Sequence, residues 1–311
     1  MIASALLAVT VAFPRPGQTL PPVAASYMSG AVPRGVTNLV VQGKPVEIYK
    51  TGGWVTMVDL AEGENEVEIV ADGVATNVVV MVERKPKPKL DAEGNPLPPP
   101  PPKVYEKLAY AADEAQTPPA GKSAAEVLVV IDPGHGGPKD TGAVSPHGFF
   151  EKHANLALAR DVKAALVALG YRVEMTRESD VAVPLYDRAR GACEKRADAF
   201  ISIHHNATAC DKDPRIVRYT AVYKWNDIGA SLAAAINARM GGVLEGDIPN
   251  NGVMHANFAV TRNPQVPSCL VETDFITTPE GEEAIWNPAR RRRIAAAIAD
   301  GFADWASQSV P

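Results

Sequence analysis

Two hydrophobic periodicities divide the chain. From Ser26 to about Glu83 apolar and polar residues alternate with period two, in short runs at 38–41, 46–49, 54–58, 65–70 and 76–82. Gly43, Gly52, Gly53, Gly63 and Gly73 fall between these runs. Alternating runs at such close spacing, with turn residues between them, predict a small antiparallel β-sandwich. The segment holds no cluster of His, Asp or Glu, so a binding or spacer module is expected.

The alternation stops at Arg84. Pro86 and Pro88 alternate with lysines, and proline recurs at Pro96 and throughout 98–102. Such a stretch favours extended polyproline geometry and acts as a semi-rigid spacer. A short helix is expected over 104–115, before Pro118 and Pro119, which places a linker at 85–124.

From Glu126 onward, strand-like and helix-like runs alternate. Strands are expected at 127–131, 171–176, 199–203 and 268–272. Between them, residues 155–169 repeat apolar positions at Leu158, Val162, Ala165 and Leu169, and Gly170 suits the C-terminal cap. Further helices are expected at 185–196 and 228–240. Asn287 is placed to cap a last helix, with Pro288 at its first position and Ile294, Ile298, Phe302 and Trp305 on its apolar face. Strands alternating with helices predict an α/β unit over 125–309: a three-layer, mostly parallel sheet with helices on both faces. The small all-β sandwich-like domain at 26–84 precedes it.

Composition narrows the partners. The 311 residues, 46% hydrophobic, can fill two moderate domains, and a net charge of −5 without a long basic stripe excludes nucleic acid as the main partner. The one basic run, Arg290 to Arg293, opens a helical pattern and is expected to be a solvated face. Cys193, Cys210 and Cys269 are odd in number and contain no CxxC spacing, which offers neither a disulfide framework nor a thiolate metal site. Buried free thiols are the expectation. The first thirteen residues are apolar, too few for the roughly 20 that cross a bilayer, but suited to the core of a signal peptide over 1–25. No Lys or Arg precedes that run, although Val23, Ala24 and Ala25 offer small residues for cleavage. Export to the periplasm or cell wall is therefore expected, without a stable transmembrane anchor.

The chemistry gathers at strand ends. In open α/β sheets ligands bind outside the carboxyl ends of the strands. His135 follows the first strand in the glycine-rich turn "DPGHGG", His204 and His205 close the third, and Glu272 closes the last. Glu151 stands at the N-terminal end of the first long helix, which faces the same rim. Two histidines and a carboxylate suit Zn²⁺ with a fourth position left for water. A spare carboxylate can then move the proton of a water that zinc makes acidic. Neighbouring residues at a strand end point to opposite sides, so one member of the His204/His205 pair is expected to face a metal. Taken singly, His204 is as well explained by packing, and Glu151 by the helix dipole.

Five stretches make the pattern specific: "VVIDPGHGG", "GFFEKHANLALA", "VEMTRESDVAVPLYDRARGA", "AFISIHHNA" and "PSCLVETDFITTPEGE". In this order and spacing, residues 126 to about 306 resemble the zinc-dependent N-acetylmuramoyl-L-alanine amidases of the amidase type 3 family. The resemblance implies one zinc per chain, held by His135, Glu151 and His204, with Glu272 as the catalytic glutamate. His147, His153 and His255 fall outside the motifs and are expected in solvent or core. Asn206 is a weak candidate for substrate contact. Arg177, Asp180 and Arg188 match family positions, and bracing helix to sheet explains them. Asp274, Thr277 and Thr278 depart from the family pattern beside Glu272, which puts peptide preference in doubt. The chain between His204 and Glu272 leaves no room for the long inhibitory helix of some periplasmic members.

The resemblance implies a peptidoglycan hydrolase that cuts the amide between N-acetylmuramic acid and L-alanine, with wall contact through the N-terminal β domain as a further expectation. Two rivals differ in class. A zinc carboxypeptidase on a similar sheet needs an arginine clamp for a free carboxylate. A non-catalytic wall-binding protein has no need of four intact polar residues at one rim.

Overall fold

The computed structural model describes residues 9–87, 89–93, 95, 97, 119, 121–263 and 265–308. The helix expected at 104–115 and the first eight residues of the expected leader lie outside these.

Two sheets make up the N-terminal unit. One is antiparallel, with β3 (Ala25–Ala31) between β1 (Thr10–Phe13) and β6 (Gly53–Asp59). The other runs in the order β2 (Thr19–Leu20), β8 (Val74–Val82), β7 (Gly63–Ala71), β4 (Leu39–Val41) and β5 (Lys44–Pro45). Leu20, Met28, Trp54, Val67, Ile69 and Val80 are buried together. Along β7, buried Val67 and Ile69 alternate with exposed Glu66 and Glu68, which is the period-two pattern made physical.

Two expectations change here. The unit starts upstream of residue 26: Thr10 pairs with Ala31, and Leu20 is buried on β2. The apolar segment read as a leader thus supplies an edge strand as far as Phe13. The sandwich is also not wholly antiparallel, because β2 joins β8 in parallel. Residues 46–49 form no strand.

The C-terminal unit is built on a six-stranded sheet. Its order is β10 (Arg172–Met175), β9 (Leu128–Pro133), β11 (Ala199–Asn206), β14 (Ser268–Phe275), β12 (Thr220–Lys224) and β13 (Asn250–His255). All neighbours are parallel except β12 and β14. Alternate residues of the central strands enter different cores. Val129, Ile131, Ile201, Ile203 and Val271 pack with α1 (Glu151–Ala168), α3 (Ala230–Leu244) and α5 (Pro288–Ala306). Leu128, Val130, Phe200 and Leu270 pack with Ala192 of α2 (Leu185–Glu194) and with Val260. A short α4 (Pro279–Trp286) follows β14. Asn287 accepts from the amides of Ala289 and Arg290, and Pro288 opens α5.

The basic run at the start of α5 is not simply a solvated face. Arg290 is buried and pairs with Asp247 at 2.6 Å and with Asp274 at 2.8 Å, while Arg291 pairs with Asp161 at 2.7 Å. Cys269 is buried and the other two cysteines are half-buried, and all three are free. No helix among the described residues is long and apolar enough to cross a membrane.

Candidate metal centre

The glycine-rich turn after β9 is a device for presenting one imidazole. His135 has φ of 60°, a left-handed conformation few side-chain-bearing residues adopt without support from their surroundings. That support is dense. Arg177 donates to the carbonyls of Pro133, Gly134 and Lys152 at 2.9, 2.9 and 2.8 Å. Arg188 donates to the buried carboxylate of Asp132 at 2.8 Å and to the carbonyls of Pro133 and His135, both at 3.0 Å. Asp180 accepts from the Gly137 amide at 2.8 Å and from Lys152 Nζ at 2.6 Å. These three side chains brace helix to sheet by holding the turn's backbone. The turn also needs its first glycine, since a Cβ on Gly134 would stand 2.1 Å from the His204 ring.

Ring orientation is set by a residue that sequence reading missed. His135 Nδ1 lies 2.5 Å from Asp140 Oδ1, and the Gly136 amide donates to the Asp140 carbonyl at 2.8 Å. A carboxylate only accepts, so Nδ1 carries the proton and Nε2 faces inward. Nε2 is then 3.3 Å from Glu151 Oε2.

Glu151 opens α1 and is buried. Its Oε2 accepts from the Ala143 amide at 3.0 Å. Its Oε1 accepts from Asn155 Nδ2 at 3.0 Å and lies 3.0 Å from His204 Nδ1. Each oxygen of one carboxylate therefore faces one imidazole. One ligand atom from each of His135, Glu151 and His204 lies within 4.8 Å of the others.

His205 points the other way. It is buried, and its Nδ1 lies 2.7 Å from Asn155 Oδ1. Burial outweighs the pull of Glu151 and lowers its pKa to about 3, so the ring stays neutral. Asn155 thus orients Glu151 with its amide nitrogen and His205 with its oxygen.

Glu272 completes the rim. It stands opposite His204 in the parallel register of β11 and β14. Burial, and then the negative charge of Glu151, raise its pKa well above the usual carboxylate range. Its Oε2 is buried with no hydrogen-bond partner among the described residues. An ionised carboxylate in that position is costly unless a positive charge arrives. Two imidazoles and a carboxylate around a common space, with a buried carboxyl oxygen beside them that has no partner among the described residues, fit a divalent cation with N and O donors. A cleft of about 620 Å³ opens on the set, lined by His135, His204, Glu272, Tyr186 and Phe258 among others.

The remaining candidates lie elsewhere. Asn206 Oδ1 accepts from the Ala207 amide at 2.8 Å, closing the strand end. His153 lies 3.6 Å from Asp180, His255 stacks on Trp225, and His147 reaches the β unit. Asp274 is buried and takes a two-pronged bond from Arg218 at 2.7 Å on each oxygen. Thr277 and Thr278 are buried too, Thr278 capping α4. These departures from the family pattern are buried and brace the framework. Between His204 and Glu272 the described residues build β12, α3 and β13, and α3 is part of the core.

Residues 129–304 match a family model described as N-acetylmuramoyl-L-alanine amidase. The amidase AmiC of Neisseria meningitidis is 34% identical over 247 residues, 64% of this chain and 58% of its own length. The amidase AmiA of Escherichia coli is 32% identical over 241 residues, 63% of this chain and 82% of its own. A solved structure, the amidase AmiC2 of Nostoc punctiforme, is 35% identical with a TM-score of 0.55, covering 60% of this chain and 100% of that one. The chain thus spans little more than half the length of the Neisseria relative. The family match takes in β9 through most of α5, the whole sheet that carries His135, Glu151, His204 and Glu272, and by it the chain belongs to the N-acetylmuramoyl-L-alanine amidase family of hydrolases.

Proposed function

We propose that this protein hydrolyses the amide between the lactyl group of N-acetylmuramic acid and the L-alanine of the peptidoglycan stem, outside the cytoplasm. One observation carries the reading. Glu272, a buried carboxyl whose Oε2 has no hydrogen-bond partner among the described residues, stands across from His204 beside a ready set of two imidazoles and a carboxylate in one open cleft. His135, Glu151 and His204 would hold a single zinc ion. Zinc bound there supplies a Lewis acid for the amide carbonyl and makes water acidic enough to lose a proton near neutrality.

The chain's own residues do the rest. With a cation held by the trio, Glu272 would be free to ionise, because the Glu151 charge that opposes its ionisation would be offset. Glu272 accepts a proton from the attacking water and returns it to the departing alanine nitrogen, while the water oxygen joins the lactyl carbonyl carbon. Asp140 keeps the His135 tautomer fixed. Arg177 and Arg188 keep the turn from relaxing as charge moves.

Mass analysis of material released from purified sacculi tests the reading. Peptides with a free N-terminal L-alanine, and glycan strands bare of peptide, are expected. Cleavage within the peptide, with no free lactyl group, would mark a peptidase instead.

A further inference from the structure

The two units touch beside the metal centre. Lys50 pairs with Glu283 at 2.9 Å, and the Tyr27 amide donates to the Cys210 carbonyl at 2.9 Å. His147 bridges them, with Nδ1 2.7 Å from Glu282 and Nε2 3.2 Å from the Thr51 carbonyl. Gly53 sits so close to Pro279 and His147 that a Cβ would come within 3.3 Å of both.

Along this seam runs a groove of about 560 Å³. Phe13, Tyr27 and the turn from Arg15 to Gln18 form one wall, and the ribbon from Thr141 to Val144 forms the other. That ribbon is also a wall of the metal centre. Its Ala143 amide holds Glu151, and a Cβ on Gly142 would stand 2.6 Å from Glu151 Oε2 and 2.7 Å from the His135 ring. One thickness of backbone separates groove from trio.

Arg15 is the charge in this groove. Its guanidinium carbon lies 5.1 Å from the ring centroid of Phe150, the residue before Glu151. Among the described residues no acidic side chain forms a salt bridge with it. Lys152, over the same ring at 5.8 Å, is by contrast neutralised by Asp180. The turn carrying Arg15 is fixed: its amide donates to Gln18 Oε1 at 2.9 Å, the Gln18 amide returns a bond to its carbonyl at 2.8 Å, and the Gly17 amide donates to Val79 at 2.8 Å. A guanidinium laid on an aromatic ring, with no hydrogen bond from its polar edge among the described residues, is organised to receive a planar carboxylate on two prongs.

We propose that this groove seats the peptide arm of the substrate and that Arg15 reads a carboxylate on it. The inference rests on the amidase reading. Around the scissile amide the two arms differ in charge. The acetylated sugar has its lactyl carboxyl tied up in the bond, while a stem peptide ends in at least one free carboxylate. The groove with the uncompensated cation suits the second. The β unit is then a working wall of the substrate site, and not only a spacer.

The test uses the full zinc-loaded chain and two soluble N-acetylmuramoyl peptides that differ only in a free or an amidated C-terminal carboxylate. Arg15→Gln and Arg15→Lys are compared with the parent, with thermal unfolding as the check on folding. The parent should prefer the free acid by about five- to tenfold in kcat/KM, carried by KM, as expected for one charge-assisted contact near the surface. Arg15→Gln should reduce that preference to about one, and Arg15→Lys should keep part of it. Retention of the full preference by Arg15→Gln, or its absence in a parent that cleaves both substrates, overturns the proposal. Calorimetric binding of an acidic tripeptide beginning with L-alanine gives an arm independent of turnover. If the parent cleaves neither substrate, the amidase reading fails, while tighter binding by the parent than by Arg15→Gln still supports the groove and equal binding removes it.

Discussion

Glu272 stands directly across from His204 in the register of two parallel strands, and Glu151 faces both. Two carboxylates so placed divide the labour by environment. Glu151 is held well below the usual carboxylate range by the imidazoles, against the effect of its own burial, while Glu272 is held well above it. Under the proposed function the first serves as metal ligand and the second as proton carrier.

Glu272→Gln keeps the shape of the side chain but cannot take a proton from water. It should fold normally and keep about one zinc per chain, while turnover falls by about 10²–10⁴-fold. Glu151→Gln should instead lose metal, and activity with it. Metal analysis beside rate measurement checks the pair. Metal lost from Glu272→Gln but kept by Glu151→Gln would reverse the two roles.

Metal uptake should depend steeply on pH. Burial disfavours the His135 cation, but Glu151 and Asp140 outweigh it and raise its pKa to about 9 in the metal-free chain. That proton stabilises the metal-free fold fully below the unfolded value of about 6.5, and the benefit is lost as pH rises through the folded value. A metal competes for the same Nε2. Apparent zinc affinity should therefore climb about tenfold per pH unit as pH approaches 9 and flatten above it. Competition titrations against a chelator from pH 6 upward would show this, and a flat profile would contradict it.

Asp140→Ala should act through His135 without touching substrate. Losing the carboxylate that fixes a ligand's tautomer typically costs about 10–100-fold in metal affinity. Excess zinc should restore most of the rate, and Asp140→Asn, which can still accept from Nδ1, should lose less. An unchanged affinity in Asp140→Ala would show that the braced turn alone sets the ring.

The contrast between His135 and Asp140 marks what the sequence could reveal. An imidazole among glycines at a strand end announces presentation, and strand-end positions in an alternating α/β pattern share a rim. Asp140, Lys152 and Asn155 carry no such signal, because polar residues on a loop or in the first two turns of a helix are ordinary until their partners are seen. The strands β12 and β13 escaped for a related reason. Their five and six residues lack clean alternation, and β13 carries Asn250 and Gly252 and remains largely exposed. The β unit's early start was hidden because β1 is short and apolar, a composition that also suits an export signal. Asn287 and Pro288 were legible because a cap is a local device that needs no tertiary partner.

Asp274 tests whether the residues flanking Glu272 tune substrate choice or hold the frame. Its carboxylate is fully buried, takes two hydrogen bonds from Arg218 and forms an ion pair at 2.8 Å with Arg290, whose side chain is 6% exposed. Asp274 thereby ties β14 to the segment before β12 and to the first turn of α5. Removing one member of such a set leaves an uncompensated buried cation, which commonly costs about 3–5 kcal/mol. Asp274→Ala should therefore lower the unfolding midpoint sharply, with Asp247 partly relieving Arg290 through its own 2.6 Å contact. At temperatures where it remains folded, its ratio of rates on free-acid and amidated substrates should match the parent's, because no atom of Asp274 reaches the cleft. Denaturant unfolding and substrate comparison on the same sample separate the two roles. A change in substrate ratio without a loss of stability would return Asp274 to the specificity residues.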